Sequence, residues 1–220
     1  NNLTVDLMYG LPNLTNEEWE EHLLKVVQLG VTHISAYCLT IEEQTVLHHK
    51  INKGEIKATS EDVQSDQFML MLKVLKEQGY QQYEISNFSK VGHESIHNSN
   101  YWKGESYLGI GPSAHSFNGK SRSWNISNNS KYIEKIERGE DSFEEEILSQ
   151  ENIFNELVMT GLRTIYGVSI AKLTDIQPLS EAFLAKSNQF IAEGLLELNN
   201  GILTTTENGR LQADYLASEL

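Results

Sequence analysis

Four stretches of the chain hold side chains able to bind or orient a ligand. In the first, Asp6 lies inside the apolar run of residues 3–9, which Gly10-Leu11-Pro12 closes. A carboxylate in an apolar strand is costly to bury unless it is paired or hydrogen-bonded. At the C-terminal end of a barrel strand, where ligand sites collect, it can accept hydrogen bonds from a ribose hydroxyl or an amine. An Asp that caps a nearby turn fits the same spacing. In the second, His33-Ile34-Ser35-Ala36-Tyr37-Cys38-Leu39-Thr40 is a strand with polar residues near its end, followed by Glu42, Glu43 and Thr45. That order fits a ligand rim, with Cys38 read as a small buried hydrophobe. Glu42 and Glu43 are adjacent, so on a strand they point to opposite faces and do not form an acid/base pair.

The third stretch, His97-Asn98-Ser99-Asn100-Tyr101-Trp102, packs an imidazole, two amides and two large aromatic rings into six residues. Imidazole can ligate haem iron, and aromatic faces pack on a flat tetrapyrrole. The same residues also fit a structural knot in which His97 donates to a backbone carbonyl. His93 stands four residues earlier, but Gly92 and Ser95 argue against a helix carrying both imidazoles, so no zinc pair is expected. In the fourth, Tyr107-Leu108-Gly109-Ile110-Gly111-Pro112-Ser113-Ala114-His115-Ser116, small residues let the backbone approach a ligand, and His115 can stack on it or hydrogen-bond to it. No Lys-Ser/Thr follows the glycines, as a phosphate loop requires. The chain also holds no Gly-x-Ser-x-Gly, His-Glu-x-x-His or Cys-x-x-Cys.

Strands and helices must hold these groups in place. Thr15 and Glu18 form a capping-box signature before Trp19, Leu23, Val26 and Val27 at helical spacing, and Gly30 ends that helix. Ser60 with Glu61 and Asp62 starts another helix, with Phe68, Met71, Leu72 and Leu75 as its stripe and Gly79 as its stop. Residues 33–39 and 83–88 read as strands. Strands separated by helices of this length predict βαβ units and a parallel sheet. From 90 to 124 helical periodicity disappears; such a long irregular segment is functional or contains short strands. Residues 131–138 read as a short helix. The acidic run 134–151 reads as a solvated helix face and loop.

The tail has a third texture. Ile153, Phe154, Leu157, Val158 and Leu162 mark one helix, and residues 180–193 a second. Residues 195–204 form a hairpin around Asn199-Asn200-Gly201, and a last helix starts near Thr206. Helices followed by a small β-wing predict a winged-helix-like domain. The expected organisation is α/β: closing strands of a partial barrel with a following insertion over 1–125, and a helical, winged-helix-like domain over 126–220.

The 220 residues are 39% hydrophobic and 22% charged, enough to build a sizeable core. The net charge of −14, with no basic patch, argues against nucleic acid as a partner. No apolar run is long enough to cross a membrane. One cysteine, Cys38, rules out an internal disulfide, fits a reducing cytoplasm and cannot hold an iron–sulfur cluster. The opening Asn1-Asn2-Leu3, which runs straight into a strand pattern, suggests a sequence that starts inside a longer gene product.

Taken in order, Asp6-Leu7-Met8-Tyr9-Gly10-Leu11-Pro12, His33-Ile34-Ser35-Ala36-Tyr37, Tyr83-Glu84-Ile85-Ser86-Asn87-Phe88, His97-Asn98 with Tyr101-Trp102, and Gly109-Ile110-Gly111-Pro112-Ser113-Ala114-His115-Ser116 resemble the oxygen-independent coproporphyrinogen III oxidase-like family. Within it the motifs are most similar to the HemW-type haem-chaperone branch. Gly194-Leu195-Leu196 and Gly209-Arg210-Leu211 fit it too. The resemblance implies a radical S-adenosylmethionine (β/α) barrel followed by the helical domain. It implies a [4Fe–4S] cluster on a three-cysteine loop that this sequence lacks, and S-adenosylmethionine on the cluster's open iron. In the oxidases, a 5′-deoxyadenosyl radical then leads to decarboxylation of propionate side chains.

The same resemblance places Asp6 against S-adenosylmethionine, with Thr40 and His115 near it. It makes His97, Asn98, Tyr101 and Trp102 the haem-binding feature. The function it implies is haem binding and delivery to acceptor proteins, the alternative being oxidative decarboxylation of coproporphyrinogen III to protoporphyrinogen IX. No residue is assigned as catalytic or as a cluster ligand, and neither cofactor is expected to bind this stretch tightly by itself.

Overall fold

The computed structural model describes residues 2–220. They pack as two compact units that divide between Ser95 and Ile96. The change of texture at 125/126 falls within a three-stranded sheet of the second unit.

The first unit is built on a four-stranded sheet. Strand β1 (Thr4–Tyr9) pairs in parallel with β2 (His33–Cys38), Thr4 opposite His33 and Asp6 opposite Ser35. Helix α1 (Asn16–Gln28) connects them and carries the expected capping box: the Thr15 hydroxyl accepts from the Glu18 N–H, and the Glu18 carboxylate from the Thr15 N–H. Beyond β2 come α2 (Val46–Asn52) and α3 (Glu61–Glu77), the latter capped by Ser60. Trp19, Leu23 and Val26 of α1 and Phe68, Met71, Val74 and Leu75 of α3 bury their stripes against Tyr9, Ile34, Ala36 and Phe88 of the sheet. Full burial of each large side chain contributes about 1.5–3 kcal/mol. Gln67 locks the joint: its amide oxygen accepts from Gly10 N–H at 2.8 Å, its amide nitrogen donates to Leu14 C=O at 2.9 Å, and its own C=O accepts from the Trp19 indole at 3.0 Å.

Residues 83–88 depart from the expected third parallel strand. They form a hairpin, β3 (Gln81–Glu84) and β4 (Asn87–Ser89), which pairs antiparallel with β2 and gives the order β1-β2-β4-β3. Glu84 makes the reversal: its carboxylate accepts from Ser86 N–H at 3.0 Å and from the Asn87 amide at 2.5 Å, satisfying the polar groups of the turn. The sheet is mixed, and no closed barrel forms among the described residues.

The second unit begins with α4 (Ile96–Trp102). An antiparallel sheet follows, of β5 (His115–Phe117), β6 (Ser121–Asn125) and β7 (Phe143–Ile147), with α5 (Asn129–Arg138) between β6 and β7. Residues 134–138 of the acidic run lie on α5 as expected, but 143–147 depart from the expected helix and loop. Glu144, Glu145 and Glu146 lie on an edge strand, where charge opposes pairing with another chain.

The remainder runs α6 (Gln150–Leu162), β8 (Val168–Ser169), α7 (Ile170–Ile176), α8 (Glu181–Ala192), β9 (Leu196–Asn199) and β10 (Ile202–Thr205). The short strand β8 pairs with β10. Asn200 at φ 52° and Gly201 at φ 78° make the primed turn between β9 and β10. The last helix, α9 (Ala213–Glu219), starts after a 3₁₀ turn over Arg210–Gln212, later than its Thr206 signal. Thr206 serves the turn itself, donating to Gly194 C=O at 2.7 Å and accepting from Gly209 N–H at 3.1 Å. Phe154, Leu162, Leu173, Phe183, Phe190 and Leu216 form this unit's core.

Candidate functional site

The two faces of the first unit's sheet differ. Val5, Leu7, Tyr9, Ile34, Ala36 and Phe88 pack on α1 and α3. The opposite face carries Thr4 and Asp6 from β1, His33 and Ser35 from β2, and Ser89 and Asn87 opposite them on β4. Apart from Ser89, whose buried hydroxyl has no hydrogen-bond partner among the described residues, the buried groups there are joined in two short networks. His33 Nδ1 meets Thr4 Oγ1 at 2.7 Å and its Nε2 meets the Tyr83 hydroxyl at 2.8 Å. Ser35 donates to Asn87 Oδ1 at 2.9 Å, and the Asn87 amide donates to Glu84. Both ring nitrogens of His33 are occupied, so it is not poised as a metal ligand. Burial pushes its pKa below the ordinary imidazole value, and the Asp6 charge partly restores it.

Asp6 itself is exposed, and Thr40 lies exposed just past β2. An exposed carboxylate on a pinned polar sheet face can accept from the amine or hydroxyl groups of a ligand. Thr45 is a helix cap: its hydroxyl donates to Glu42 C=O at 2.8 Å and accepts from His48 N–H at 3.2 Å. Cys38 is half-buried against the core, and burial pushes its thiol up, as it does the neighbouring Tyr9 phenol. A thiol raised in this way is inert at neutral pH.

The second unit presents a row of rings. His97 is exposed on α4, with its ring 5.0 Å from Tyr101, edge to face; Tyr101 lies 4.7 Å from Tyr107, and Tyr107 6.1 Å from Phe117. His115 stands two residues before Phe117 on the same face of β5 and lies 6.3 Å from the Trp124 ring of β6. Tyr101 is 43% exposed, and Leu108 and Ile110 are 79% and 85% exposed nearby in sequence.

Trp102 is half-buried, with the Arg163 guanidinium 5.3 Å over its ring, and Lys103 sits 4.6 Å over Tyr166. These two contacts seat α4 on the residues that follow α6, leaving His97 and Tyr101 outward. Asn98 is partly buried. His93 lies in the turn before α4, so the two imidazoles do not share a helix face.

The glycine-rich stretch is shaped by close contacts. A Cβ on Gly109 would come within 2.1 Å of His115 C=O. Gly109 N–H donates to Ser116 Oγ at 2.9 Å, and the Asn125 amide reaches Gly111 C=O at 2.9 Å. His97, Tyr101, Trp102 and His115 stand out in the sequence, and Tyr107 heads the glycine-rich stretch; Phe117 and Trp124 do not stand out, although the alternation along 115–124 carries a weak strand signal.

Three comparisons place the chain among known proteins. Residues 148–211 match the HemN C-terminal domain. The heme chaperone HemW of Mycobacterium tuberculosis is 31% identical over 99% of this chain and 55% of its own length; that of Bacillus subtilis is 30% identical over 96% and 56%. The HemW heme chaperones are thus homologues of this chain along nearly its whole length. A mouse relative, radical S-adenosyl methionine domain-containing protein 1, mitochondrial, is 31% identical over 97% of the chain and 52% of that protein. The solved Escherichia coli coproporphyrinogen III oxidase (HemN), described as a radical SAM enzyme, superposes with a TM-score of 0.75 at 18% identity, over 98% of this chain and 54% of that one. The mixed α/β fold therefore matches part of a HemN structure. The chain spans about half the length of the curated HemW relatives it matches. No described helix is long and apolar enough to cross a membrane.

Proposed function

We propose that this chain is the rear portion of a radical S-adenosylmethionine-type haem chaperone, which binds haem and delivers it to acceptor proteins. The observation that carries the reading is the exposed His97 imidazole at the head of the Tyr101–Tyr107–Phe117 row. His97 makes no hydrogen bond to another described residue, so a ring nitrogen is available to iron, while the rings offer faces to a flat tetrapyrrole. Asn98 and Trp102 frame the same helix.

Asp6, with Thr40, is the proposed S-adenosylmethionine side. The exposed carboxylate on its polar sheet face suits a ligand with an amine and ribose hydroxyls. A single thiol does not fit a [4Fe–4S] cluster, so any cluster ligands come from outside this stretch.

Residues 1–125 are proposed as the closing part of a barrel with its insertion. The order helix, strand, helix, helix, strand, strand over 150–205 supports a winged-helix-like reading of the tail. The single cysteine supports a cytoplasmic setting.

The test is a haem titration of the full-length protein by absorbance, wild type beside His97→Ala. A saturable Soret shift that weakens about tenfold in the variant supports the reading. No shift in either protein, together with anaerobic conversion of coproporphyrinogen III to protoporphyrinogen IX by the cluster-reconstituted protein, would replace it with the oxidase.

A further inference from the structure

The polar sheet face holds a buried titratable group that the haem reading does not use. His33 is pinned at both ring nitrogens, at 2.7 Å by Thr4 and at 2.8 Å by Tyr83. Thr4 shares its strand face with Asp6 two residues on, and His33 is the diagonal cross-strand neighbour of Asp6 in the parallel register. We infer that His33 is a positioning residue for the Asp6 site, its imidazole tying β1 to β3 across β2 so that the Asp6 carboxylate meets a ligand's amine or hydroxyl groups from a fixed floor. The role rests on the proposed S-adenosylmethionine side at Asp6.

Two features separate this from ordinary core packing. An imidazole placed only to fill space would leave a polar nitrogen to be satisfied by chance, whereas here one ring links hydroxyls from two strands that do not pair with each other. The second network, Ser35–Asn87–Glu84, fixes β2 to the β3–β4 hairpin beside it. The sheet face under Asp6 is thus held by side chains as well as by its ladder. The charged or titratable groups facing His33 from the neighbouring strands are Asp6 on β1 and Tyr83 and Glu84 on β3; β4 places the neutral Ser89 opposite it. His33 therefore reports on Asp6 directly: neutralising Asp6 removes the charge that favours the imidazolium.

The experiment measures S-adenosylmethionine affinity by equilibrium dialysis on the full-length, cluster-reconstituted protein, well below the melting temperature of every variant. Asp6→Asn should lose most of the affinity. His33→Gln, which cannot bridge both hydroxyls, should lose about tenfold, and Tyr83→Phe about threefold, since each removes links worth a single hydrogen bond or two. Haem binding at His97 should be unchanged in all three. As a ligand-free readout, ¹⁵N NMR of the imidazole should show His33 titrating lower in Asp6→Asn than in wild type. Wild-type affinity in both His33→Gln and Tyr83→Phe, with Asp6→Asn impaired, would overturn the positioning role and return His33 to packing alone. Wild-type affinity in Asp6→Asn as well would remove the S-adenosylmethionine side itself, and the positioning role with it.

Discussion

The polar sheet face of the first unit and the aromatic row of the second achieve ligand readiness by opposite means. On the sheet, the groups that hold the site are buried and hydrogen-bonded, and one carboxylate, Asp6, is left exposed. In the row, the leading rings, His97 and Tyr101, are themselves exposed, and Trp102, Tyr107 and Phe117 are half-buried. A pinned polar site selects by geometry, because each misplaced hydrogen bond leaves a buried group unsatisfied. An aromatic surface selects by shape and area and tolerates adjustment. The first suits a small ligand of fixed polarity, the second a large flat one.

The comparison can be broken at several points. The largest effect should come from Trp19→Ala. It removes a fully buried indole and its bond to Gln67, and should cost the first unit about 3–5 kcal/mol by urea denaturation. Amide exchange in the α6–α8 core should stay slow, because that core holds none of the first unit's residues. Next, Gly109→Ala must displace the His115 carbonyl and should cost about 3 kcal/mol. Its haem response should fall with its stability, because the displaced strand also carries Phe117 of the ring row. Glu84→Ala opens the β3–β4 turn and leaves the Asn87 amide and Ser86 N–H without their acceptor; about 2 kcal/mol is expected from the urea midpoint.

The smallest effect is one of pH. Burial holds the His33 pKa below its unfolded value of 6.5, so the unfolded chain binds more protons in that range. The contribution of His33 is therefore complete above about pH 6.5 and is lost as pH falls through the lower folded value. His33→Gln should flatten that part of the stability–pH curve; an unchanged slope would place the titration elsewhere.

Local signals made much of this fold legible. The Thr15–Glu18 box, the Ser60 cap and the Asn200-Gly201 turn each rest on residues within a few positions of one another, and each sits where the sequence places it. The hairpin at 84–87, the strand character of Glu144–Glu146, and the short β8 and α7 were not legible. The first is decided by one carboxylate reaching three residues ahead, the second by pairing with β6 some twenty residues away, and the others are too short to show a period.

The candidate site divides in the same way. Asp6 and His97 stand out by residue type in an unusual setting. Tyr107, Phe117 and Trp124 join the row only through antiparallel pairing, which no spacing rule anticipates. The His33–Tyr83 contact spans fifty residues and two strands, beyond any local pattern.

The polar sheet face and the aromatic row are proposed as two chemically separate sites. The most direct test is a crossed binding measurement on the full-length, cluster-reconstituted protein: haem by Soret titration and S-adenosylmethionine by equilibrium dialysis, each in wild type, Asp6→Asn and His97→Ala. Asp6→Asn should weaken S-adenosylmethionine binding alone and His97→Ala haem binding alone, each by about tenfold or more. Loss of both ligands in either variant, with the fold intact by circular dichroism, would contradict the separation.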